Sequence, residues 1–204
     1  MHPNQAFHTH SDPDNLNFAR DRGFGVLAVG TVGLPMLAHV PFVLSEDGKA
    51  VDLHLVRSNP ITRALVEPLP ARVAVSGPDS YISPDWYGVG DQVPTWNYVA
   101  VHLTGKLERR PDSELRSVLD RLSAQFEARL VPKEPWKSDK VDAGALEKMM
   151  RMIVPFRLNV TGVDGTWKLA QNKSDTARER AAGHVDAYGI GADVRALAAL
   201  MRGA

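Results

Sequence analysis

The stretch from Trp96 to Leu107 most constrains what this chain can fold into, because it alternates as a β-strand does. Trp96, Tyr98, Ala100 and His102 fall on one face, and Asn97, Val99, Val101 and Leu103 on the other. Both faces carry aromatic or branched residues, so the strand is expected to be covered on both sides. The polar Asn97 and His102 then need partners, which an aromatic sheet core or a bound planar ligand would supply. Pro94 fixes its own φ and biases Val93 toward extended backbone, holding the start of the strand in place.

The segments before it read as more of the same sheet. Phe24 to Thr31 is apolar and branched, Met36 to Leu44 resumes after a turn-like Val32 to Pro35, and Ala50 to Val56 follows the Asp47-Gly48 turn pair. Three strands at this spacing predict an antiparallel meander, the start of a barrel or sandwich rather than a parallel dinucleotide-binding sheet. Gly23, Gly25 and Gly30 do not have the dinucleotide spacing. Ala71 to Ser76 reads as a fourth strand closed by the turn formers Gly77-Pro78-Asp79. Phe156 to Val163 and Thr166 to Ala170 read as a late hairpin about Asp164-Gly165.

Helices flank these strands. Asp12 followed by Pro13 predicts a short helix ending at Gly23, and Asn59 followed by Pro60 another ending by Pro68. Leu115, Val118, Leu119, Leu122, Phe126 and Leu130 recur at helical spacing after Asp112. Leu146, Met149, Met150 and Ile153 do so after Asp142, so residues 112–153 form a helical insertion. The segment 174–204 reads as helical, with Ser174 as a cap and Asp193 to Met201 as a terminal helix.

Composition removes several functions. The 204 residues suit one domain, expected to span 1–204, with 44% hydrophobic residues, enough for a core. Lys+Arg and Asp+Glu are equal at 24 each, so no global basic field favours DNA or an anionic membrane. The absence of cysteine excludes disulfides, thiolate metal sites and cysteine nucleophiles. No apolar stretch approaches the ~20 residues of a membrane span, and a soluble cytoplasmic protein is expected. His2, His8 and His10 are not read as a metal site, since a terminal segment assures them no ordered third ligand.

Two places gather binding chemistry. At Arg57-Ser58-Asn59 a strand runs into a helix start: free backbone N–H groups, two polar side chains and a planar guanidinium suit an anion. Arg57 reads equally as a surface ion-pair residue. At Trp167, Lys168, Gln171 and Asn172 an aromatic, a cation and two amides sit at a strand end, where such groups converge on ligands or cap a hairpin.

The motifs VRSNP at 56–60, GPDSYISPDWY at 77–87, VPTWNYVAVHLTG at 93–105 and WKLAQNKS at 167–174 together resemble the PaiB-like, FMN-binding negative transcriptional regulators. The opening MHPNQAF and AHVPF at 38–42 extend the likeness over nearly the whole chain. The resemblance implies an α+β fold, a predominantly antiparallel split β-barrel with flanking helices, homodimeric, with flavin mononucleotide (FMN) in clefts formed by both subunits. It implies that Arg57, Ser58 and Asn59 hold the flavin phosphate, and that Trp96, Asn97, Lys168, Gln171 and Asn172 border the ring. Ala170 stands where the family usually has serine, and the missing hydroxyl removes a donor worth ~1 kcal/mol.

Three functions remain open at this level. A flavin-binding protein with a regulatory or redox role is favoured, possible FMN-dependent oxidoreductase chemistry included. A transcriptional regulator acting through DNA or a partner protein is the second, although no helix-turn-helix is evident. A haem-binding split barrel is the third and needs an axial ligand such as His39, His54 or His102. No Ser-His-Asp signature, zincin motif or P-loop is present, so catalytic residues stay unassigned.

Overall fold

A computed structural model describes all 204 residues. The first helix, α1 (Asp12–Arg22), is started by Ser11 rather than Asp12. The Asp14 N–H donates to the Ser11 hydroxyl while the Ser11 N–H donates to the Asp14 carboxylate, a reciprocal box that satisfies two free donors. Gly23 stops the helix in the left-handed region, at φ 56°.

The predicted meander is present as β1 (Phe24–Val29), β2 (Met36–Leu44) and β3 (Ala50–Val56). Asp47 closes the β2–β3 turn by accepting from the Ser45 hydroxyl and the Lys49 N–H. After α2 (Pro60–Ala64) come β4 (Leu69–Ile82), β5 (Thr95–Arg109), α3 (Leu115–Glu127) and α4 (Ala143–Met150). The chain ends in β6 (Ile153–Lys168), α5 (Asp175–Tyr188) and α6 (Val194–Arg202). The strands close an antiparallel barrel in the order β1-β2-β3-β6-β5-β4. Leu27 lies opposite Ala38 on β2 and Val73 on β4, and Leu53 lies opposite Phe42 and Phe156.

Two turns expected from the sequence are absent. β4 runs straight through Gly77-Pro78-Asp79, because its far half has a partner distant in sequence: the Asp79 and Tyr81 N–H groups donate to the Ala192 and Ile190 carbonyls. β6 likewise passes through Asp164-Gly165, so there is no late hairpin. Gly165 serves close approach instead of turning, since a Cβ there would lie 2.0 Å from Asn15 Oδ1. β5 is the strand the alternation predicts, but it is not equally covered. Asn97, Val99, Val101, Leu103 and Leu107 are buried, while Trp96 is 47% exposed and Tyr98 half-buried.

The chain divides into two compact units, one of Met1–Asn15, Val75–Val101 and Asp164–Ala204, the other of Leu16–Ala74 and His102–Val163. In the second, Leu27, Phe42, Leu53, Val73, Leu103 and Phe156 are fully buried, and α3 buries Leu115 and Val118. In the first, α5 packs on α6 and on the 3-10 turn Pro84–Tyr87, burying Ala181, Val185, Leu197 and Met201. No helix is long and apolar enough to cross a membrane.

Candidate functional site

The first unit contains a cavity of about 270 Å³. Its lining comes from three places: Asn4 and Phe7 of the N-terminal segment, Tyr87 to Asn97 around the start of β5, and Lys168 to Lys173 at the end of β6. Local chemistry holds each in position. Asn4 caps the 3-10 turn Gln5–Phe7 by accepting from the Ala6 N–H, which fixes Phe7 in the interior. His10 stacks on Trp167 with ring centroids 4.1 Å apart, and Trp167 Nε1 donates to buried Asn15 at 2.8 Å. The N-terminal segment is thereby strapped across the end of β6.

Two ammonium groups face this cavity. Lys168 Nζ donates to Thr95 Oγ1 and lies 5.9 Å from the Phe7 ring centroid. Lys173 Nζ donates to Gln92 Oε1 at 2.6 Å and lies 5.5 Å from the Tyr87 ring centroid. Neither is in an ion pair. The one carboxylate on the lining, Asp91, is bonded to neither. Burial, with Lys173 adding to it, pulls Lys168 below the ordinary lysine value, and burial pushes the Tyr87 hydroxyl up. A polar hollow between two aromatic rings is left with two ammonium groups against one carboxylate that pairs with neither.

Of the residues expected to border a ring, Asn97, Lys168 and Asn172 line this cavity. Asn97 is 1% exposed, and its amide nitrogen has only the weak acceptor Met201 Sδ at 3.5 Å. Gln171 is spent on the loop itself: its amide nitrogen donates to the Trp167 carbonyl and its oxygen accepts from the Leu169 N–H. Trp96 points to the other face of β5, where its ring meets Tyr81 edge-on at 6.3 Å. Ala170 lines the cavity at φ 64°, a left-handed conformation costly for a residue with a side chain. Sequence reasoning missed Lys173, Gln92, Thr95 and Tyr87, although all lie in or beside the quoted motifs. It also missed Asn4 and Phe7, which reach the cavity only through contacts distant in sequence.

Arg57, Ser58 and Asn59 belong to the second unit. Asn59 caps α2, its side chain accepting from the Ile61 N–H at 2.9 Å. Arg57 Nε donates to the Arg151 carbonyl, and Nη2 donates to the Ile153 carbonyl and to Asp112. Nη1 is the part of the fork left without an intrachain partner. The three histidines considered for haem lie in this unit too. His39 is exposed beside Phe24, and His54 has a buried Nδ1 without a hydrogen-bond partner, its imidazole pulled below its ordinary value by burial. The three do not gather into a ligand cluster.

A closed antiparallel barrel whose motif residues build a cationic, amide-rich cavity defines the class of split-barrel flavin-binding proteins. Residues 1–162 match the family described as "Putative FMN-binding domain", and the chain belongs to that family. FMN is its cofactor. The donor set fits such a ligand, with ammonium and amide donors for oxygen-rich groups and Tyr87 and Phe7 for an apolar body. The chain is 32% identical over 162 residues to the protease synthase and sporulation protein PAI 2 of Bacillus subtilis, covering 78% of this chain and 77% of that one. It is 26% identical to an uncharacterised protein of Emericella nidulans, covering 78% and 80%. Among solved structures it resembles the FAD and heme binding protein of Mycobacterium smegmatis, with a TM-score of 0.57 and 18% identity over 89% of this chain and 80% of that one. A conserved hypothetical protein of Mycobacterium tuberculosis gives 0.56 and 14%, over 82% and 91%. These two show a shared fold. The family match ends before β6 does, so Lys168 and Lys173 lie beyond it.

Proposed function

We propose that this protein is an FMN-dependent redox or regulatory protein that works in the cytoplasm as a homodimer, with residues 1–204 forming one FMN-binding domain. The observation that carries the reading is the cavity lined by Asn97, Lys168, Asn172 and Lys173, where the two ammonium groups bond only neutral oxygens and Asn97 only a thioether sulfur. Asn97, Lys168 and Asn172 border the flavin, Gln171 holds the loop that carries Asn172, and Trp96, on the opposite face of β5, offers a half-exposed ring for stacking across the proposed dimer. FMN, when bound, supplies one- or two-electron chemistry, and the protein's part is to bind it, orient it and exclude water. The regulatory half of the proposal draws on the name of the Bacillus relative. A balanced charge favours action through a partner protein over direct DNA binding.

The visible spectrum of the purified protein, followed by titration with FMN, tests this directly. Flavin absorbance, or saturable quenching of flavin fluorescence at micromolar concentration, is expected, and no binding would overturn the reading. Arg57, Ser58 and Asn59 remain the proposed phosphate anchor, through Arg57 Nη1. Arg57→Ala is expected to weaken FMN about tenfold while changing riboflavin by less than about threefold. An equal loss for both ligands would leave Arg57 as a clamp on Arg151, Ile153 and Asp112.

A further inference from the structure

We infer that Lys168 and Lys173 form an oxyanion subsite of the cavity, built to hold a phosphate or carboxylate group against two ammonium ions at once. The inference rests on the reading of this cavity as the binding site. Its basis is an imbalance of charge. Two lysines from one short segment face the same hollow, each steadied by a neutral oxygen and an aromatic ring, and neither neutralised by an acid. Packing two like charges beside each other in a partly buried place is unfavourable, and it is relieved when an anion sits between them. Asn97 and Asn172 add neutral donors, the set that recognises a phosphate or carboxylate. The sole acid of the lining, Asp91, belongs to the loop before β5 and accepts no bond from either lysine.

The oxyanion can come from the flavin's own phosphate, which would replace the Arg57 anchor proposed above, or from a separate small ligand that leaves that anchor in place, and the two sources are separable. Binding of FMN, riboflavin and inorganic phosphate is measured by calorimetry on the full chain and on Lys168→Met, Lys173→Met and Lys168→Arg. If the flavin phosphate is the source, the wild type prefers FMN over riboflavin by at least about tenfold, and both methionine variants lose that preference. If a separate ligand is the source, inorganic phosphate binds the riboflavin-loaded wild type and binds each methionine variant at least about tenfold more weakly, while FMN and riboflavin change alike. In either case Lys168→Arg retains the anion response. The apo melting temperature of Lys168→Met equals or exceeds that of the wild type, because a repulsion has been removed. A lower apo melting temperature, with all anion responses intact, would show a structural lysine and overturn the proposal. Phosphate binding by a wild-type chain that takes up no flavin would sink the flavin reading and leave the subsite standing.

Discussion

Gly105→Ala is expected to destabilise the protein by about 3 kcal/mol or more, or to prevent folding. Gly105 lies within β5, and a Cβ built there falls 1.9 Å from the carbonyl oxygen of Asn159 and 3.2 Å from Val160 Cα, both on β6. These are backbone atoms and cannot swing aside as a side chain can, so the strands themselves must separate. Gly33→Ala is the matched control, since nothing lies within 4 Å of the added methyl. Urea unfolding should show a large fall in midpoint for the first variant at an unchanged slope, and almost none for the second. Equal midpoints would mean that the close approach is not a constraint.

The second large effect concerns Asp52 of β3. Its carboxylate, 5% exposed, accepts two bonds from Arg157 at 2.7 and 2.9 Å and one from Arg121 of α3 at 2.7 Å. Burial alone would raise its pKa, but the bonds from Arg157 and Arg121 outweigh burial and hold the carboxyl below the ordinary value. Asp52→Ala leaves both guanidinium groups without this acceptor. A fully buried pair broken in this way loses ~3–5 kcal/mol, but Arg157 and Arg121 are 29% and 44% exposed and rehydrate, so about 2 kcal/mol is expected. A carboxylate depressed in the folded state stabilises fully above its unfolded pKa, and that contribution is lost as pH falls through the folded value. The stability gap between wild type and Asp52→Ala should therefore be constant at neutral pH and narrow below about pH 4. A gap that widens on acidification would assign the cluster to something other than its charge.

Much of the barrel could be read from local pattern, because β1, β2, β3 and β5 advertise themselves by alternation and by the Asp47-Gly48 turn. The errors fall where long-range partners override local signals. Gly77-Pro78-Asp79 carries turn chemistry, yet its strand is extended by carbonyls of Ala192 and Ile190 more than a hundred residues away. Asp164-Gly165 looks like a hairpin turn, yet the glycine exists to admit Asn15. The site divides in the same way. Asn97, Lys168 and Asn172 sit in recognisable motifs and meet at one cavity, whereas nothing local marks Lys173 of the same motif as facing it. Phe7 and Asn4 could not be found from spacing, since contacts distant in sequence, among them the stacking of His10 on Trp167 and the approach of Met1 and His8 to Asp164, bring their segment to β6.

The strap formed by the first ten residues has a practical consequence for anyone purifying this protein. Its Met1 ammonium lies 3.9 Å from Asp164, and Asn4 and Phe7 are cavity wall. An affinity handle fused ahead of Met1 removes that charge and hangs a load on the wall itself. A colourless preparation carrying such a handle would report on the handle. Gly203 and Ala204 are exposed beyond α6, so a tag placed there leaves the strap untouched.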